Sequence, residues 1–99
     1  PGLNITANPF AVRKGRPSVL SGSLSGLSAD GNVLIYRRYK GQTTRVLVAT
    51  LPILNLDGSG QFSYRTAALS RPTVFTAVWS GDSTTIGANA SVTVGIRRR

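Results

Sequence analysis

Phe75-Thr76-Ala77-Val78-Trp79 is the stretch that decides the fold of this chain. Successive side chains of an extended strand point to opposite sides, so Phe75, Ala77 and Trp79 share one face and Thr76 and Val78 the other. Leu3-Asn4-Ile5-Thr6-Ala7, Leu20-Ser21-Gly22-Ser23-Leu24 and Val92-Thr93-Val94-Gly95-Ile96 alternate in the same way. Each reads as a half-buried strand with one face inward and one in solvent. Helical patterning is missing: no stretch holds an i, i+3, i+4, i+7 stripe of good helix formers, and Gly or Pro recurs within nearly every dozen residues. The domain is therefore all-β.

Turn signals punctuate these segments at Lys14-Gly15-Arg16-Pro17, Asp30-Gly31-Asn32, Lys40-Gly41-Gln42, Asp57-Gly58-Ser59-Gly60, Ser70-Arg71-Pro72 and Ser80-Gly81-Asp82. Between them the sequence predicts seven strands, over 3–7, 17–25, 32–39, 45–51, 61–66, 73–79 and 90–96. The predicted core is Leu3, Ile5, Leu20, Leu24, Val33, Ile35, Leu51, Phe62, Tyr64, Phe75, Ala77, Trp79, Val92, Val94 and Ile96. Gly22, on the inward face of its strand, leaves room for a ring, and Trp79 is the expected occupant. The 99 residues suffice for one domain and leave no room for a second core. In an antiparallel fold with an odd number of strands the first and last run the same way. The chain then enters at one end and leaves at the other.

Several of these residues together resemble a family. Leu20-Ser-Gly-Ser-Leu24, the strand entry Gly31-Asn32-Val33, Asp57-Gly-Ser-Gly-Gln-Phe-Ser63, Phe75-Thr-Ala-Val-Trp-Ser-Gly-Asp82 and Ser91-Val-Thr-Val94 look like the bacterial immunoglobulin-like repeats of cell-surface and secreted proteins. The resemblance spans residues 3 to 96. It implies a seven-stranded antiparallel immunoglobulin-like β-sandwich, and a role as a tandem stalk segment, an adhesin segment or an accessory module of an exported enzyme. Pro52-Ile53-Leu54-Asn55-Leu56 departs from it, standing where that family carries a polar, Thr-rich approach to a turn. An apolar segment there either packs under a loop or leaves a sticky edge for a neighbouring domain.

Composition narrows the chemistry. The chain has no Cys, His, Met or Glu, and its only carboxylates are Asp30, Asp57 and Asp82. A Ser-His-Asp triad needs an imidazole, a zinc site needs His or Cys, and a glycosidase needs two carboxylates across one bond. Each Asp also neighbours a Gly, where a short side chain closes a turn on its own backbone. No catalytic residue, metal site or cofactor is expected, and the chain reads as a non-enzyme.

The longest apolar run, from Arg45 to Leu56, is about half the roughly 20 residues of a spanning helix and is interrupted by Pro52, so no membrane span is expected. Abundant Ser, Thr and Gly with scarce Lys point to a secreted or cell-surface setting. Lacking a signal peptide and an initiating Met, the chain reads as a single domain, 1–99, excised from a longer exported protein, with Pro1-Gly2 as linker.

The formal net charge of +9 invites a polyanion reading. Ten of the twelve basic residues are Arg, a bias that a GC-rich genome also produces, and nucleic acid is disfavoured as a partner. Tyr36-Arg37-Arg38-Tyr39-Lys40 interleaves cations with rings that stack on a base or a sugar face. With Val33 and Ile35 inward, Leu34, Tyr36, Arg38 and Lys40 line the outer face of that strand. The plainer and favoured reading is a solvated strand whose Arg stems cover apolar neighbours. Arg97-Arg98-Arg99 is a second candidate for anionic cell-wall polymers, against the favoured reading of a charged domain boundary.

Three further patterns are weaker. Asn55 to Gly60 faintly resembles a calcium loop, but one acid is too few and a turn is favoured. Asn4-Ile5-Thr6 and Asn89-Ala90-Ser91 fit the glycosylation pattern, which is short. Both lysines fall at turns, so no Lys-Asn crosslink is expected. The leading expectation is a non-catalytic spacer or adhesion module, with neighbouring domains of the parent chain as partners. The alternative is a carbohydrate- or polyanion-binding accessory module.

Overall fold

The alternating segments form strands in the computed structural model of the chain, which describes residues 2–26, 30–79 and 87–97. Among these residues eight strands follow one another: β1 (Leu3–Asn8), β2 (Ala11–Arg13), β3 (Val19–Ser25), β4 (Gly31–Tyr39), β5 (Val46–Ile53), β6 (Ser59–Arg65), β7 (Thr73–Trp79) and β8 (Ala88–Arg97). They build a three-stranded sheet, β1-β3-β6, and a five-stranded sheet, β2-β8-β7-β4-β5. The all-β reading holds, and the two sheets pack face to face around one core. The expected count of seven does not hold.

The additional strand is β2, whose three residues are too few to display alternation. It pairs with β8 in parallel, Ala11 opposite Gly95 and Arg13 opposite Arg97, so the pairing is not wholly antiparallel. Only Pro9 and Phe10 separate β1 from β2, and the chain changes sheets across them. A small polar clasp holds this crossing. The hydroxyl of buried Ser18 donates to the Pro9 carbonyl at 2.6 Å, and the Ser18 N–H donates to Thr66 Oγ1 at 2.9 Å. The Thr66 N–H returns to the Ser18 carbonyl at 2.8 Å, so these buried polar groups are satisfied.

Phe75, Ala77 and Trp79 are buried, as are Leu20 and Leu24 of β3, Val33 and Ile35 of β4 and Val94 of β8. Leu3, Leu51, Tyr64, Val92 and Ile96, expected in the core, are partly buried and pack against it. Val12, Ile53 and Leu69 are buried without having been expected. Ile53 resolves the apolar departure at 52–56: it turns inward with Leu51, while Leu54 and Leu56 remain 63% and 70% exposed. Pro52 does not end β5, because β5 is the outer strand of its sheet and a missing N–H is tolerated there.

The small residue at Gly22 does make room for a ring, but the ring is that of Phe62. Gly22 and Phe62 are register partners, and a Cβ on Gly22 would run into that ring and the Asn4 carbonyl. Trp79 packs over Gly31 instead, because both belong to the β4–β7 pair whereas Gly22 lies in the other sheet. The Asp57-Gly58 signal is a tight two-residue turn within the connection that carries the chain from β5 in one sheet to β6 in the other, closed by the Leu56–Ser59 bridge. Both central residues have positive φ, 54° and 87°, as a type I′ connection requires.

Replacing Gly22 by Ala is expected to cost about 2 kcal/mol of unfolding free energy by overpacking against Phe62. Thr66→Val is expected to cost about 1 to 3 kcal/mol, since it strands the buried Ser18 N–H. Urea unfolding followed by Trp79 fluorescence measures both, and wild-type stability in either variant would contradict the packing described.

Candidate functional site

Register fixes where each cation goes. β8 finishes at Arg97 beside Arg13, the last residue of the parallel β2, and this defines the exit end of the domain. β7, antiparallel to β8, starts there; β4 therefore finishes there and β5 starts there. In the other sheet Val19 opposite Arg65 puts the start of β3 and the finish of β6 at the same end. The opposite, entry end holds Gly2, whose carbonyl accepts the Ser25 N–H, and the β5–β6 turn.

The consequence is complete segregation of charge among the described residues. Arg13, Lys14 and Arg16 fall at the exit end with the β2–β3 connection; Arg37, Arg38, Lys40 and Arg45 fall there with the β4–β5 connection. Arg65, Arg71 and Arg97 complete the group. Both described carboxylates, Asp30 and Asp57, sit at the entry end. Strands of 7 to 10 residues separate the two ends by about 23 to 33 Å. That distance exceeds the Debye length of about 8 Å at physiological salt, so the acids do not neutralise the cations.

Backbone hydrogen bonds tie the exit-end connections into one platform. The Gly15 N–H donates to the Leu69 carbonyl at 2.7 Å and the Leu69 N–H to the Arg16 carbonyl at 3.0 Å. The Lys40 N–H donates to the Pro72 carbonyl at 3.0 Å. Lys14, Arg16, Lys40 and Arg71 are thereby carried on loops that brace one another.

Tyr36-Arg37-Arg38-Tyr39-Lys40 does not form a single face. Arg37 lies opposite Phe75 and Tyr39 opposite Thr73, both buried, so Arg37 and Tyr39 belong to the inter-sheet side, at its open end. Tyr36 and Arg38 lie opposite Thr76 and Val74 on the outer side, and Lys40 is in the turn beyond the strand. Each ring already carries a guanidinium. Arg45 sits 4.2 Å from the Tyr36 centroid, while Arg37 and Arg71 sit 4.8 Å and 4.6 Å from that of Tyr39. Arg38 is held separately by donation from Nη1 to the Gln42 carbonyl at 2.8 Å. A cavity of about 190 Å³ opens beside the Tyr39 group, walled by Tyr64, Leu69 and Phe75 and lipped by Arg37 and Ser70.

Arg97 is exposed at the exit end; Arg98 and Arg99 lie outside the described residues, as does Asp82. Arg45 and Arg71 escaped the sequence reading. The hairpin from β4 to β5 offered a faint signal for Arg45, and nothing local pointed to Arg71. The Asp30 carboxylate, expected to close a turn on its own backbone, accepts instead among the described residues the Asn55 N–H at 2.6 Å, joining two entry-end connections. Asn55 Oδ1 accepts the Gly58 N–H at 2.8 Å, which commits it to the turn. Asn4 of the first glycosylation pattern bonds Ser23 Oγ through its amide at 2.9 Å.

So many like charges at one end repel, and Arg13 and Arg97 are direct neighbours across strands. Screening should relieve this. The thermal midpoint is expected to rise between about 0.01 and 0.15 M sodium chloride, as the Debye length falls from about 30 to about 8 Å. A flat or falling midpoint in a scanning-calorimetry series would show that the cations do not crowd one end. No protein-family model matches the chain, and no curated protein matches it.

Proposed function

We propose that this chain is an immunoglobulin-like module with a non-catalytic, structural or adhesive role in a bacterial surface or secreted protein. The observation that carries this reading is the path of the chain. It enters at one end of the two-sheet stack and leaves at the other, and β1 and β2 together run in the direction of β8. Copies of such a unit join end to end and hold their neighbours apart. The change of sheet at Pro9-Phe10 supports an immunoglobulin-like topology, in which the first strand is shared between two sheets. Exposed Leu54 and Leu56 lie at the entry end, where a preceding domain would sit and cover them.

A second reading, a carbohydrate- or polyanion-binding accessory module, is favoured by one observation: every described cation is gathered at the exit end. The guanidiniums on Tyr36 and Tyr39 count against stacking of sugars there.

The spacer reading is tested with two copies fused in tandem and examined by small-angle X-ray scattering. The longest extent of one copy is 46 Å. The tandem is expected to reach about twice the single-copy maximum dimension. A compact particle, with the copies side by side, would refute the spacer role.

A further inference from the structure

We infer that the exit end is a docking surface for a linear, base-free phosphate polymer, with the paired guanidiniums of Arg37 and Arg71 on Tyr39 as its principal seat. The inference rests on the binding reading above and is independent of the spacer reading.

The charge of this end has no answer within the chain. Twelve cations against three carboxylates leave +9, and the described acids lie at the far end, several Debye lengths away, where salt screens their attraction. A second copy of the chain does not answer this charge either, because its entry end offers too few carboxylates. A polymer with many regularly spaced anions does.

The type of cation selects the anion. Arg presents a planar fork that grips phosphate through two parallel N–H···O bonds, where Lys offers a point charge. Arg37 and Arg71 share one ring, at 4.8 Å and 4.6 Å from its centroid, although 34 residues separate them in sequence. Arg37 is half-buried and Tyr39 is fixed in β4 opposite Thr73, so the pair is largely ordered before any ligand arrives. Ordering two long cationic side chains is a main cost of binding an anion, and the ring has already met much of it.

Covered rings select against other polymers. Single-stranded nucleic acid is held by bases stacking on successive aromatic platforms. Here Tyr36 and Tyr39 already carry arginines and Tyr64 is partly buried against the core, which leaves Phe10 as the one open ring among the described residues of this end. What remains on offer is a set of forked donors on braced loops, suited to a phosphate backbone that brings no rings of its own.

The test is a titration of the whole chain with inorganic polyphosphate, read by calorimetry and by amide NMR shifts. Saturable binding is expected at low salt, weakening steeply between about 0.05 and 0.2 M. The shifts should gather at residues 13–16, 37–45 and 66–72 and spare 54–60. Arg37→Gln with Arg71→Gln is expected to weaken binding by at least about tenfold. The charge-matched Arg16→Gln with Arg65→Gln should weaken it by about threefold or less. Equal losses in the two double variants, or shifts spread over both ends, would overturn the seat. Tighter binding to heparin, to oligothymidylate or to anionic vesicles would overturn the class of ligand while leaving a binding module in place. Absence of binding to all four probes would overturn the inference and the binding reading together. The shift map on the unaltered chain decides the location even if a variant fails to fold.

Discussion

Everything in this molecule depends on two sheets closing on each other through alternate side chains of their strands. Phe75, Ala77 and Trp79 of β7 and Leu20 and Leu24 of β3 supply much of that interior, and none is more than slightly exposed. Close packing of this interior requires missing side chains at three points. Gly22 admits the Phe62 ring within one sheet, Gly31 admits Trp79 within the other, and Gly60 of β6 admits Ile53 of β5 from the facing sheet. Apolar burial at about 25 cal/mol per Å² is the main driving force, so loss of any close approach would loosen the contact that holds the sheets together.

Once the sheets close, strand direction distributes the charges. An antiparallel stack brings alternate connections to the same end, and here the described basic residues occur only on the connections and strand ends of one set. Hydrogen bonds from Gly15 and Lys40 to Leu69 and Pro72 then lock those connections together. The resulting cluster works against the fold through like-charge repulsion. The described carboxylates, Asp30 and Asp57, stay in connections at the other end and leave the cluster uncompensated.

The tyrosines show how context changes the meaning of a motif. Read alone, Tyr36-Arg37-Arg38-Tyr39-Lys40 looks like a platform of rings between cations. In the fold the rings serve the cations, holding Arg45, Arg37 and Arg71 in place. The rings are thereby taken up by stacking within the protein itself, and the guanidinium forks are what these groups present outward.

Alternation, turn chemistry and the inward set Phe75, Ala77 and Trp79 were legible because they arise from neighbours in the chain, where strand geometry imposes a period of two. The Asp57-Gly58 turn was legible for the same reason, since positive φ at two successive residues is a local demand. Residues distant in sequence decided the rest. β2 owes its existence to β8, at the other end of the chain, and Ile53 is buried because Pro52 lies on an outer strand. The meeting of Arg37 with Arg71, and the gathering of the described cations at one end, follow from strand order and direction. Those are properties of the closed sheets, and no local pattern of residues encodes them.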